Sequence, residues 1–209
     1  MCLLILGSPL YAQETEESRD EVDKREQTLL YGIDSEVMGV LGDLQQDKIG
    51  SYNDILTTVV EETRNRDIIQ GIYRLWNDTD YLDGLPLARR ELAKVTEDED
   101  YETSVVQTAM AFIADQEDGE SIPLLMELSS HRDSGLAASA VRSIAKMPPE
   151  DIDATSLLDR LKKEDPVSEE DLIAALIVTL GELGYTPAAD ELVMIAEDAG
   201  ASAGHRRLA

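Results

Sequence analysis

The sequence predicts an all-α fold, an α-α superhelix of about five two-helix repeats, and three observations carry that expectation. Apolar residues recur at spacings of three and four, and no stretch alternates with period two, which is the mark of amphipathic helices and not of strands. Helical stretches are punctuated by turn signals such as "SSHRDSG" (129–135) and Pro148-Pro149. One helical pattern also returns along the chain. Laying "VVQTAMAFIAD" (105–115) over "LAASAVRSIAK" (136–146), "DLIAALIVTLGELG" (171–184) and "AGHRRLA" (203–209) aligns Ala109, Ala140, Leu176 and Ala209, at steps of 31, 36 and 33 residues. Units of that length with two helices each bury their apolar faces by stacking on one another.

Taken in order, residues 1–12 read as the remnant of a secretory signal peptide. An apolar run from Cys2 to Leu6, the breaker pair Ser8-Pro9 and Tyr11-Ala12 before Gln13 place a cut after Ala12. The expectation is a periplasmic or secreted protein, with a cytoplasmic one as the alternative, whose mature chain has no cysteine and no thiol chemistry. Residues 13–27, "QETEESRDEVDKREQ", carry charge with Val22 alone to bury, and read as a poorly ordered leader that is helical at its end through Glu and Lys/Arg pairs. Folded structure is expected over residues 28–209.

Within that span the second helices are "SEVMGVLGDLQQD" (35–47), "DIIQGIYRLWND" (67–78) and the four aligned above, with Ile72 at the aligned core position. Between them lie the first helices "YNDILTTVVEET", "LDGLPLARRELAKV", "SIPLLMEL", "ATSLLDRLKK" and "PAADELVMIAED". Pro123 sits in a first turn, where a missing N–H costs nothing, and Pro148-Pro149 stops the helix before it. The Ala and Ser of "DSGLAASAVRSIAKM" (133–147) are a packing device: a second helix crowded on several sides needs small residues so that backbones can approach.

The hairpin "LLMELSSHRDSGLAASAVRSIAKM" and the segment "LIAALIVTLGELG" resemble bacterial HEAT repeats, including the HEAT-like class of phycobilin lyases. In that class an apolar first helix ends in an Asp-containing turn and is followed by a second helix of the form xxAxxxLGxxG. Pro123 and Pro187 stand at matching points before Asp133 and Asp198. The resemblance spans about residues 28–209 and is strongest after residue 100; the Arg that often follows the turn Asp is absent after Asp133. It implies a HEAT-like solenoid and a protein-binding role, or else a lyase-like enzyme or chaperone with a ligand pocket in its concave face.

Charge and chemistry narrow the function. Forty-four acidic residues against eighteen basic ones give a net charge of −26, which repels nucleic acids and anionic membrane surfaces. No segment approaches the length of a membrane span. The twelve Arg against six Lys resemble surfaces adapted to salt or alkali. His131 and His205 have no His or Cys at ligand spacing, and His131 is expected in an exposed turn. The acidic loops "DTDYLDG" (78–84) and "DQEDGE" (115–120) lack the alternation and sixth-position Gly of an EF-hand, and no nucleophile elbow or phosphate loop is present. The expectation is therefore no catalysis, no metal and no cofactor.

A solenoid offers a concave face built by its second helices. Two residues beyond the aligned core position stand Arg74, Ala111, Arg142 and Val178; six beyond stand Asp78, Asp115, Lys146 and Glu182. Arg74, Asp78, Asp115, Arg142, Lys146 and Glu182 are thus the candidate partner-binding row, and Arg and Lys in so acidic a chain suit an acidic peptide or protein segment. The final helix ends without a cap, so the solenoid is expected either to be truncated at its C-terminus, as a fragment of a longer array, or to pair its open end with another chain, and an apolar patch of Leu192, Ile195 and Leu208 is expected there.

Overall fold

The computed structural model describes residues 19–97, 100–164, 169–198 and 200–209, and among these it is all-helical, with no strand. Twelve α-helices follow one another: α1 (Arg19–Tyr31), α2 (Asp34–Asp47), α3 (Asn53–Glu62), α4 (Arg66–Asp78), α5 (Leu85–Thr96), α6 (Thr103–Asp115), α7 (Ile122–Leu128), α8 (Ser134–Ile144), α9 (Thr155–Leu161), α10 (Glu170–Glu182), α11 (Ala189–Glu197) and α12 (Ala203–Leu208). Each odd-numbered helix packs on the even-numbered helix that follows it. The even-numbered helices also pack in series, α2 on α4, α4 on α6, α6 on α8, α8 on α10 and α10 on α12.

That series has a constant register. Val37, Ile68, Val105, Leu136 and Leu172 are buried in the first turns of successive even helices, and one turn later Leu41, Ile72, Ala109, Ala140 and Leu176 are buried. The hydroxyls of Ser143 and Thr179, one turn further on, donate to the carbonyls of Met110 and Val141 on the preceding even helix, at 3.3 and 3.1 Å. Such bonds require close backbones, and the buried Ala137, Ala138 and Ala140 of α8 provide the room. Four aromatic rings gather in one place: Trp76 lies 5.5 Å from Tyr73 and from Tyr81 and 6.2 Å from Phe112, centroid to centroid. Gly84 passes beneath Trp76, where a Cβ would stand 2.5 Å from the indole.

Local chemistry starts and stops the helices. Asn65, Asp133 and Ser202 cap α4, α8 and α12 by accepting N–H bonds from the first turn. Two residues beyond α4, α6 and α10 the chain turns through left-handed φ, at Asp80 (51°), Glu117 (51°) and Gly184 (58°). A short 3-10 turn then leads into α5, α7 and α11. After α8 Pro148 stands in place of the left-handed residue, and α8 ends at Ile144, two residues before Lys146.

Two sequence expectations change, and one falls outside the described residues. The signal-peptide remnant, residues 1–12, lies outside the described residues. Of the expected leader 13–27, residues 19–27 belong to helix α1, which packs on α2 and α3 and buries Leu29. The described chain therefore forms six helical pairs and not five, because the charged α1 serves as the first helix of the first pair. Ala209, aligned with the buried core row, is exposed, and His205 is the residue of α12 that is buried, at 2% exposure. At the last pair, Leu192 and Ile195 pack half-buried against the core, while Val193, Met194 and Leu208 are exposed.

Candidate functional site

The candidate row lies on the outer edge of the even helices, where Arg74, Asp78, Asp115, Arg142, Lys146 and Glu182 are all exposed. The structure gives several of them partners across the helix series. Lys146 donates to Asp115 at 2.5 Å, and Asp115 also accepts from the Asn77 amide at 2.9 Å. Gln116 returns a bond to Asn77 at 3.2 Å, so α4, α6 and α8 are stitched together near their C-termini. Nearer the N-termini, Arg142 pairs with Asp171 at 2.5 Å, Gln107 donates to Ser139 at 3.1 Å, and Gln70 donates to Ser104 at 3.1 Å. Arg74 bonds to Gln70 within its own helix. Asp78 and Glu182 stand at the two ends of the row, outside this network.

Arg142 and Lys146, the cations on which an acidic partner would depend, thus each hold a carboxylate of a neighbouring helix already. What the row offers is a mixed set of paired charges and amides. Between α6 and α8 it encloses a shallow cavity of about 270 Å³, lined by Gln107, Ala111, Ser139, Arg142 and Lys146. Asn77 and Gln107 were not singled out in the sequence, because neutral amides carry no charge signal; their spacing from Ile72 and Ala109 on the outer side of the helix was the available clue.

The acidic loop 115–120 serves a structural purpose. Asp118, 8% exposed, accepts from Arg89 Nε at 2.8 Å and Nη2 at 2.6 Å, and from the Ser121 hydroxyl, while Glu120 accepts from Arg89 Nη1 at 2.5 Å. Burial pushes the Asp118 carboxyl up, but the Arg89 and Ser121 hydrogen bonds and the Arg89 charge outweigh it and hold the group below the usual carboxylate range. Among the described residues no group of three or more His, Cys, Asp or Glu side chains comes together as metal ligands, and no helix is long and apolar enough to cross a membrane.

The histidines have separate settings. His131 is half-buried and its Nδ1 accepts from the Asp133 N–H at 3.0 Å. His205 bonds through Nε2 to the Glu170 carbonyl at 3.0 Å, and its Nδ1 is buried without a partner. Among the described residues the Asn53 Oδ1, the Tyr73 hydroxyl, the Trp76 Nε1–H and the Glu169 Oε2 share that condition. Burial, reinforced by the Glu91 carboxylate against a weaker opposite pull from Arg90, drives the Tyr73 phenol far above its usual range.

Comparison of the chain with protein-family models, curated proteins and solved structures finds no match.

Proposed function

We propose that the chain is a solenoid of HEAT-like repeats that acts as a non-catalytic scaffold for protein partners in the cell envelope. The observation that supports it is the serial packing of α2, α4, α6, α8, α10 and α12 in one register, with an exposed polar edge running along it. Such an edge fits an extended polypeptide. Backbone amides and carbonyls of a peptide can exchange with the side-chain bonds of Gln70, Gln107 and Ser139, whereas a purely acidic segment must displace Asp171 and Asp115 from their cations. The partner is therefore a segment of mixed polarity more than a run of Asp and Glu.

The test uses residues 13–209 to capture partners from a periplasmic or extracellular extract, with photocrosslinking residues at Arg74 and Val178 on the even-helix edge and at Glu127 on α7 as a control. Crosslinks at the first two positions, abolished by Ala111→Arg, support the reading. Crosslinks at Glu127 alone, or capture indifferent to Ala111→Arg, overturn it. A second reading, self-association through the last pair, draws on the exposed Val193, Met194 and Leu208; concentration-dependent sedimentation that ends with Met194→Glu supports it.

A further inference from the structure

Away from the even-helix edge, where the α7–α8 turn meets α9 and the start of α10, lies a cavity of about 470 Å³. One wall is prebuilt. The Arg160 side chain, 15% exposed, is fixed by Glu164 at 2.7 Å and by the carbonyls of Ser129 and His131 at the end of α7. Around it the cavity presents donors: Arg132 and Lys163, neither paired with a carboxylate among the described residues, and the hydroxyls of Ser134 and Ser156. His131 also lines it. Because its Nδ1 accepts the Asp133 N–H, the neutral ring carries its hydrogen on Nε2 and donates from there. Asp159 lines the cavity as well, and among the described residues it pairs with neither cation.

Beside the cavity lies an acceptor that lacks a donor among the described residues. Glu169 lines the cavity, and the Glu169 Oε2 atom is buried with no hydrogen-bond partner. A buried carboxylate oxygen without a donor costs free energy that a suitably placed O–H or N–H recovers.

We propose that this cavity binds a small oxyanion carrying an adjacent hydrogen-bond donor: an α-hydroxy or α-amino carboxylate, or hydrogen phosphate. The oxyanion lies against Arg132 and Lys163 with the His131 Nε2–H and the serine hydroxyls, and its own O–H or N–H bonds to Glu169. The volume suits a small organic anion; ligand cavities begin at about 300 Å³. This site is independent of the partner-binding edge and stands or falls without it.

The experiment follows the amide signals of the 15N-labelled chain during titration with glycolate, acetate and inorganic phosphate at neutral pH. The proposal expects saturable shifts at Ser130 to Ser134 and at Glu169, with glycolate or phosphate binding at least about threefold more tightly than acetate, the scale of one net hydrogen bond. Saturation by glycolate alone assigns a carboxylate ligand, and by phosphate alone a phosphate. The Arg132→Gln, Lys163→Gln double variant should weaken binding by about tenfold or more. Glu169→Met should remove the advantage of glycolate over acetate. Unshifted signals from α4 and α6 establish that the variants fold. Absence of saturable shifts with all three anions, acetate binding as tightly as glycolate, or binding unchanged in the double variant overturns it.

Discussion

Lys146, two residues past the end of α8, and Asp115, the last residue of α6, hold matching places in successive helical pairs, and the 2.5 Å ion pair between them ties the two together. Their side chains remain 57% and 35% exposed, so the pair is screened by water and salt. Lys146→Gln should cost about 0.5 kcal/mol by denaturant unfolding, and a double-mutant cycle with Asp115→Asn should return a coupling of about that size that fades in roughly 0.5 M salt. A coupling above about 2 kcal/mol, or one indifferent to salt, would mean that the rung holds the helices rigidly and cannot exchange with a partner.

The turns after α4, α6 and α10 place Asp80, Glu117 and Gly184 in the same left-handed conformation. Gly184 adopts it without strain, whereas Asp80 and Glu117 carry a Cβ there. Asp80→Gly and Glu117→Gly should each stabilise the chain by about 0.5 kcal/mol, the strain relieved exceeding the added flexibility of the unfolded state. Gly184→Ala should destabilise by about 1 kcal/mol, and since nothing lies within 4 Å of its missing Cβ, the effect is conformational and not a clash. Unfolding midpoints that move in the opposite sense refute this account.

Asp118 gives the fold an acid-sensitive joint between α5 and α7. Its carboxyl is held below the usual range in the folded chain, so its contribution is fully present above the unfolded value of about 3.9 and is lost as pH falls through the lower folded value. Asp118→Asn should cost roughly 3 kcal/mol at neutral pH, because Arg89 loses its principal partner, and the difference from the parent should shrink in the acid limb below about pH 4. A difference that stays constant down to pH 2 removes Asp118 from the acid response.

Two substitutions should stabilise by removing polar atoms that have no partner. Tyr73→Phe keeps the ring contacts with Trp76 and Phe112 and deletes a buried, unbonded hydroxyl; a gain of about 1 kcal/mol in stability is expected, read as a raised thermal midpoint. His205→Leu restores the aliphatic residue found at the matching place in the five preceding even helices and should raise protection of α12 amides in hydrogen exchange. Lower protection would show that the bond from His205 to the Glu170 carbonyl outweighs its orphaned nitrogen.

Much of the helical pattern was legible because period and bulk repeat together: Ile72, Ala109, Ala140 and Leu176 share one register in sequence and one buried row in space. The small residues of α8 were legible for the same reason. Helix α1 was not, since a thirteen-residue helix that buries Leu29 alone barely shows an apolar stripe. The residues of the candidate row are exposed, and their ion pairs were hidden from the sequence, because the partners of Arg142 and Lys146 lie 29 and 31 residues away and follow from helix stacking. The burial of His205 escaped because the alignment was read through Ala209, when the position four residues earlier held the informative departure.

The chain has a single tryptophan, and it lies among Tyr73, Tyr81 and Phe112 near the α4–α6 contact. Its emission therefore reports on one neighbourhood. Loosening of α11 and α12, where no residue of α11 is buried, would leave that signal unchanged while far-ultraviolet ellipticity declined. Melting curves taken by the two methods would then diverge, and the gap between them would measure how independently the last helical pair opens.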